Sequence, residues 1–332
     1  MENFKGKTIL VTGATGLIGS HLTHTLLKSG ANVIALGRSE KKLHESFEQE
    51  WYTDNFAWLA QDVSIPFQLP KPVDFIFHAA GPIDSQTINN KPLNVIMPNI
   101  IGLLNCFELI KQFTDFNKSS RLIVFSSATL YESGIRPEID GYSYKESDLL
   151  PSTDLKSANS CYFESKRMSE VIAYSLAKQY NVDIVIARFS YVYGETVFKP
   201  QTAFYSFLNS VLNGEDIIIH KVGLPRRDNI YIDDAVNGLI TLALNGKPGE
   251  AYNVSSNGDE ENFSSIDEIA EILVKQANSL TGFNSKLISK HNLSRQPGIK
   301  LDNSKLKKLD WNVKVSLEKG IRDILEKNIR KK

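Results

Sequence analysis

At 332 residues, with 42% hydrophobic and 23% charged residues, the chain can bury one large core or two coupled ones and reads as soluble and globular. Its 38 Lys and Arg balance 38 Asp and Glu, which excludes a net field that would recruit nucleic acid or an anionic membrane surface, so binding has to come from a local site. Cys106 and Cys161 form neither a disulfide framework nor a metal spacing, and no signal-like or membrane-length apolar run stands out; the expectation is a cytoplasmic protein with no nucleic-acid or membrane partner.

In chain order, the first predicted element is a strand over Thr8–Thr12. It runs into Gly13, Gly16 and Gly19, and "LIGSHLTHTLLKSG" continues as a helix stopped by Gly30. Glycine lets a backbone turn sharply and approach a ligand with no Cβ in the way, and a helix N-terminus offers N–H groups to a pyrophosphate. Strand, spacing and helix together point to a dinucleotide site. The second strand, Val33–Leu36, ends in "ALGRSEKK". The acid that would accept from the ribose hydroxyls of NAD is missing. Gly37 stands in its place, and Arg38 is suited to pair with the 2′-phosphate of NADP or to lie over the adenine. NADP is therefore the favoured cofactor and NAD the alternative; the plain reading of Arg38, as of Lys41 and Lys42, is a solvated charge. Asp62, in "AQDV", suits either the adenine amino group or the stabilisation of a turn.

Further strands are expected at Phe75–His78, Leu122–Ser126 and Asp183–Arg188, with helical patterns between them. This alternation predicts an α/β fold over residues 1–190, a doubly wound parallel sheet covered by helices on both faces. After about Tyr193 loops with Pro, Asn and Gly separate "IIIHKV", "DDAVNGLITLAL", "YNVSS" and "SSIDEIAEILVKQA", the last with a capping-box spacing of Ser265 and Glu268. Residues 191–332 are expected to form mainly a smaller mixed α/β substrate lobe, with segments near 230–256 returning to the first sheet. The basic end, "KNIRKK", reads as a solvated, frayed helix terminus.

The chemistry is carried by "SCYFESKRMSE", where Tyr162 and Lys166 lie four apart in a helical pattern and so share a face. A phenol of pKa ~10 is a poor acid–base group near neutrality, and an adjacent ammonium stabilises its phenolate. "LIVFSSATLY" supplies a buried strand ending in Ser126 and Ser127, where a hydroxyl can hold a substrate oxygen. His21 and His24 lack the acidic or Cys partners of a metal set, so no metal is expected, and Cys161 reads as a packing residue.

"TGATGLIGSHL", "HAAGP" at His78–Pro82, Asn99 in "PNIIGLLN", "FSSATLY", "YFESK", "VYG" at Val192–Gly194, "RRDNIYIDD" at Arg226–Asp234 and "AYNVSS" at Ala251–Ser256 span nearly the whole chain. Jointly they resemble the extended short-chain dehydrogenase/reductases that modify nucleotide sugars, the NAD-dependent epimerase/dehydratase family. The resemblance implies a Rossmann-type cofactor domain, with Ser127 as the catalytic hydroxyl, Tyr162 as the acid–base group and Lys166 at the nicotinamide ribose. It implies a cofactor-facing set of Gly13, Thr15, Gly16, Leu17, Ile18, Gly19, Arg38, Asp62, Val63, Ala79, Ala80, Gly81 and Lys166, with His78 in the cofactor wall. The implied substrate-facing set is Asn99, Thr129, Tyr191, Arg227 and Arg295, the two arginines standing near the substrate pyrophosphate or, alternatively, at the surface. A homodimer through "NIIGLLNCFELIKQF" and "YFESKRMSEVIAYSLAKQY" is implied as well, and polysaccharide synthesis is the setting such enzymes often serve.

The chain departs from the family pattern at several positions. Members that dehydrate or decarboxylate the sugar commonly carry an acid two places after the catalytic hydroxyl, where this chain has Thr129 following Ala128. "VYG" after the serines becomes "LYE", with Glu132 for glycine, and "RxxNVYG" becomes "RFSYVYG", with Tyr191 for the substrate-side asparagine. The polar stretch between Tyr131 and Tyr162 is long enough for a specificity lid or an inert surface loop. The expected activity is hydride transfer at C4 of a nucleoside-diphosphate sugar by an NADPH-dependent 4-keto-hexose reductase. The alternatives are a 4-epimerase with tightly bound NAD and, in another class, an idle NAD(P)-sensing or scaffold protein.

Overall fold

The elements in chain order are β1 (Thr8–Thr12), α1 (Leu17–Lys28), β2 (Asn32–Gly37), α2 (Glu40–Ser46), β3 (Phe56–Ala60), β4 (Phe75–His78), α3 (Ser85–Asn90), α4 (Leu93–Gln112), β5 (Arg121–Ser127), α5 (Thr129–Glu132), β6 (Ser143–Tyr144), α6 (Ser160–Tyr180), β7 (Asp183–Phe189), β8 (Tyr191–Tyr193), α7 (Ala203–Leu212), β9 (Ile217–Ile219), β10 (Pro225–Tyr231), α8 (Ile232–Asn245), β11 (Glu250–Val254), β12 (Phe263–Ser264), α9 (Ile266–Thr281), β13 (Leu287–Ser289), β14 (Gln296–Leu301), α10 (Ser304–Lys307) and α11 (Leu317–Arg330). They belong to a computed structural model that describes residues 4–113, 120–132, 142–148, 150–151, 153–219, 225–289 and 296–331.

Seven strands form an all-parallel sheet in the spatial order β11-β7-β5-β4-β1-β2-β3. The chain leaves β1 in one direction through β2 and β3, and returns beside it at β4 to build outward through β5 and β7. The order therefore reverses between β1 and β4, and the crevice beyond the carboxyl ends of those strands is where open α/β sheets bind ligands. This is the Rossmann-type, doubly wound sheet expected from the alternation of strands and helices.

The strands alternate with period two, and both faces are apolar. Ile9, Val11, Val33, Ala35, Phe77, Ile123 and Val185 face one core; the intervening Leu10, Leu36, Ile76, Leu122, Val124 and Ile184 face the other. A parallel strand needs this pattern when helices cover each side, and each large aliphatic so buried contributes about 1.5–3 kcal/mol. α1 and α8 cover the first face, α4 and α6 the second. With 20 residues and a mean hydropathy of 1.6, α4 is long and apolar enough to cross a membrane by length and composition. Its apolarity serves the second core, where Leu103, Cys106, Phe107, Leu109 and Ile110 are buried.

A smaller sheet, β12-β10-β14-β6 with β8 beside β10, and a two-stranded pair of β9 and β13 form the rest, flanked by α7, α9 and α11. β11 leaves this region to join the large sheet beside β7. α9 opens on a capping box: the Glu268 N–H donates to Ser265 Oγ at 3.3 Å and the Ser265 N–H to Glu268 Oε2 at 2.8 Å. The basic end corrects the expectation of a frayed tail. α11 runs to Arg330 without fraying, and Lys331 Nζ reaches Glu195 Oε1 at 3.0 Å, while the Arg330 and Lys331 side chains stay solvated as expected.

Candidate active site

A cavity of about 220 Å³ opens where β1, β2 and β4 end. Its lining takes Gly13, Thr15 and Gly16 from the turn after β1, Leu36, Gly37 and Arg38 from β2, Gln61, Asp62 and Val63 after β3, and Ala79, Ala80, Gly81 and Pro82 after β4, with Asp84 and Pro98. Gly13 has φ +64°, and a Cβ there would stand 2.8 Å from Ala80 Cα, so the turn closes on the β4 loop only because the residue is glycine. No side chain caps α1 at Gly16 and no acid stands in its first turn, which leaves the leading N–H groups for an anion. Leu17, Ile18 and the buried Gly19 form that first turn behind the lining residues. A bare, donor-rich turn beside a cavity lined from three strand ends fits a dinucleotide.

The cavity walls are braced from beneath. His78 Nε2–H donates to Pro98 O at 3.1 Å, which leaves Nδ1 to accept from Thr12 Oγ1 at 3.0 Å; Thr12 Oγ1 in turn accepts from the Ala80 N–H at 3.3 Å. Burial pushes the imidazole down to about 3, so it is neutral and its tautomer is fixed by the carbonyl. Asp62 stabilises its turn, Oδ1 accepting from the Ser64 N–H at 2.8 Å, and it also lines the cavity. Arg38 is exposed on the lining and has no carboxylate partner among the described residues. Lys41 pairs with Glu45 and Lys42 lies over the Phe198 ring, both away from the lining.

One strand from β4, the end of β5 carries Ser126 and Ser127, and α6 lies against it. Lys166 is 7% exposed; its Nζ donates to Phe125 O at 2.7 Å and stands 5.9 Å from the centre of the half-buried Tyr162 ring. Burial pushes its ammonium down to about 8, with Glu170 pulling the other way. Ser127 Oγ accepts from the Thr129 N–H at 3.2 Å, which leaves its own hydrogen to donate. Thr129 Oγ1 is buried without a hydrogen-bond partner among the described residues. Arg227 is exposed and its guanidinium sits 5.7 Å from the Tyr191 ring, whose hydroxyl donates to Thr202 Oγ1 at 3.4 Å. Asn99, expected to face substrate, is 2% exposed; its Nδ2 donates to Val95 O and to Ser165 Oγ at 3.1 Å, tying α4 to α6, while its Oδ1 stands against Gly81 of the cavity lining, 2.9 Å from where a Cβ on that glycine would be. Arg295, and positions 133–141, 149 and 152 of the long polar stretch, lie outside the described residues.

Sequence reasoning missed a buried polar group behind this strand end. Glu170 accepts from Ser126 Oγ and from Arg188, and Arg188 Nη1 donates to the Tyr131 hydroxyl at 2.6 Å. That hydroxyl donates to Asn253 Oδ1 at 3.1 Å. Two signals were present: Glu170 continues the row of Tyr162 and Lys166 at the same four-residue step, and Arg188 is a charge inside an apolar strand. Elsewhere, His21 Nε2–H donates to Glu195 O at 2.7 Å and His24 meets Glu50 at 3.0 Å; no metal-ligand cluster occurs among the described residues.

The NAD dependent epimerase/dehydratase family model matches residues 9–255. The chain belongs to this family. Over 238 residues it is 29% identical to UDP-glucuronic acid decarboxylase 1 of Danio rerio, a match of 71% of this chain and 54% of that one, so the chain spans about half the length of such relatives. It is 27% identical to UDP-glucuronic acid decarboxylase 3 of Arabidopsis thaliana over 327 residues, 97% of this chain and 89% of that one. In fold it is similar to a crystal structure of UDP-glucose 4-epimerase from Thermotoga maritima with UDP-glucose, with a TM-score of 0.77, 22% identity, and coverage of 98% of this chain and 99% of that one. The family is one of nicotinamide enzymes, which fits the cavity already described.

Proposed function

We propose that the protein transfers hydride at C4 of a nucleoside-diphosphate sugar and works as an NADPH-dependent 4-keto-hexose reductase. What supports the reading is Lys166, lying under the Tyr162 ring and against the strand end of Ser127, one strand across from a cavity where the end of β2 carries Gly37 and Arg38 in place of an acid. Gly13, Thr15 and Gly16 would hold the pyrophosphate, Arg38 the 2′-phosphate, Asp62 the adenine and Lys166 the nicotinamide ribose. When bound, the nicotinamide supplies the hydride. Tyr162 delivers the proton to the C4 oxygen, Ser127 donates a hydrogen bond to that oxygen, and the Lys166 ammonium supports the phenolate left behind. Arg227, held over Tyr191, would meet the substrate pyrophosphate.

The decarboxylase activity of the relatives is not carried over. Thr129 occupies the position where such enzymes commonly have a carboxylate, and a hydroxyl cannot act as a base near neutrality. The same absence favours a 4-epimerase with retained NAD as the second reading. Residues 1–190 would then be the cofactor domain and 191–332 mainly the substrate lobe. Exposed Leu93 and Met97 on α4, and Met168, Val171 and Tyr174 on α6, support a homodimer through these adjacent helices. The free thiols Cys106 and Cys161 support a cytoplasmic setting.

Denaturing the purified protein and identifying the released nucleotide tests the reading. The reductase should release little nucleotide and bind added NADPH reversibly. Stoichiometric NAD in the released fraction overturns it in favour of the epimerase, and failure to bind either dinucleotide overturns both.

A further inference from the structure

Behind the catalytic strand end lie four polar side chains that the proposed proton transfer does not use. Glu170 is 3% exposed, Arg188 4%, and Tyr131 and Asn253 are fully buried. Glu170 Oε1 accepts from Ser126 Oγ at 2.5 Å and from Arg188 Nε at 2.9 Å, while Oε2 accepts from Arg188 Nη2 at 2.7 Å. A buried, bidentate ion pair of this kind is poor evidence for stability, because an apolar pair of similar volume often serves as well. Its position suggests another use.

We infer that Glu170 is a positioning residue of the catalytic centre: clamped by Arg188, its carboxylate fixes the end of β5 against α6 and serves as counter-charge to Lys166. The inference deepens the proposed function and rests on the role given there to Lys166. Tyr162, Lys166 and Glu170 follow one another at four-residue steps and form one row on α6. Lys166 Nζ bonds Phe125 O and Glu170 bonds Ser126 Oγ, so consecutive residues of β5 are joined to consecutive turns of the helix, immediately before Ser127. Loss of the Glu170 rung frees the strand end that carries the hydroxyl.

The charge acts alongside the geometry. Lys166 is buried, which favours the neutral amine, and Glu170 is the group that favours the ammonium. Facing Lys166 are Tyr162 and Glu170 from its own helix and the neutral His78 from β4, with Arg188 of β7 behind Glu170. Of these Glu170 is the one carboxylate, and a neutral Lys166 supports neither a phenolate nor a charge-assisted bond to a ribose.

The test is the dissociation constant of NADPH, and of NADH, measured by fluorescence against pH. Wild type should weaken by about tenfold or more above a limb near pH 8, as Lys166 loses its charge. In Glu170→Gln, which keeps the shape and the bond from Ser126, the limb should move at least one pH unit lower. Glu170→Gln leaves a buried guanidinium unpaired, so Glu170→Gln with Arg188→Met, which removes both charges, carries the test if the single variant does not fold. A merely structural role would lower thermal stability and leave the limb in place; an unmoved limb in either folded variant overturns the inference. Lys166→Met should abolish the limb. Should it persist there, the role of Lys166 in the proposed function fails, a result distinct from an unmoved limb in the Glu170 variants.

Discussion

The ends of β1 and β2 meet the cofactor cavity with glycine and bare backbone, whereas the ends of β5 and β7 meet the neighbouring cleft with buried charge. On the first side Gly13 is fixed by a close approach to Ala80, and α1 presents uncapped N–H groups. On the second, Lys166 is held by Phe125 O, and Ser126, Glu170, Arg188 and Tyr131 form a continuous hydrogen-bonded chain that runs on to Asn253. Binding an extended dinucleotide needs many weak, preformed contacts, which backbone supplies without side-chain entropy. Moving a proton needs a few groups whose charge is set by their surroundings, and that requires burial.

If the difference is real, substitutions on the two sides should separate chemistry from binding. Tyr162→Phe should lower turnover by about 10²–10⁴-fold while leaving cofactor affinity near that of wild type, measured as kcat beside the NADPH dissociation constant. An equal loss in both would place Tyr162 on the binding side.

The buried ammonium gives the next effect. Burial lowers the Lys166 value from 10.5 in the unfolded chain to about 8, so the folded chain releases this proton first. The cost of burying the charge, about 3 kcal/mol, is present at neutral pH and is relieved as pH rises from 8 towards 10.5. Urea unfolding of the cofactor-free protein should therefore show stability rising over that window relative to Lys166→Met, in the same range where cofactor affinity falls. Parallel pH profiles for the two proteins would contradict the assignment of a charged, buried Lys166.

On the cofactor side, Arg38→Ala should weaken NADP(H) by about 1.5–3 kcal/mol, roughly ten- to more than a hundredfold, and leave NAD(H) nearly unchanged. Equal weakening of both would reduce Arg38 to a stacking residue and remove the basis for NADPH. Gly37→Asp is a poorer probe, because a Cβ at Gly37 would stand 3.2 Å from Leu43 Cδ2 and the neighbour would have to shift. The smallest effect on turnover should come from Val171→Glu on the exposed face of α6. Activity should stay within about twofold of wild type per functional site, while light scattering reports a monomer in place of a dimer.

The same contrast governs what could be read from sequence. That Gly13, Gly16, Arg38 and Asp62 would line one cavity was legible because that side is built from contiguous segments, each strand followed by its own turn. Tyr162 and Lys166 were legible because four-residue spacing on a helix is local. The network of Ser126, Tyr131, Glu170, Arg188 and Asn253 was not, since five separate elements contribute one residue each and sheet order alone brings them together. Asn99 shows a different gap: the pattern singled it out, but not that its amide nitrogen joins α4 to α6 while its oxygen abuts Gly81, because those contacts come from helices and a loop far apart in sequence.

The most direct measurement follows the absorbance of reduced nicotinamide when the protein is mixed with NADPH and a nucleoside-diphosphate 4-keto-hexose. Oxidation of one NADPH per sugar reduced, abolished in Tyr162→Phe and unsupported by NADH at equal concentration, is the expected result. No oxidation by wild type with intact NADPH binding, together with interconversion of C4-epimeric sugars, would contradict the reductase account.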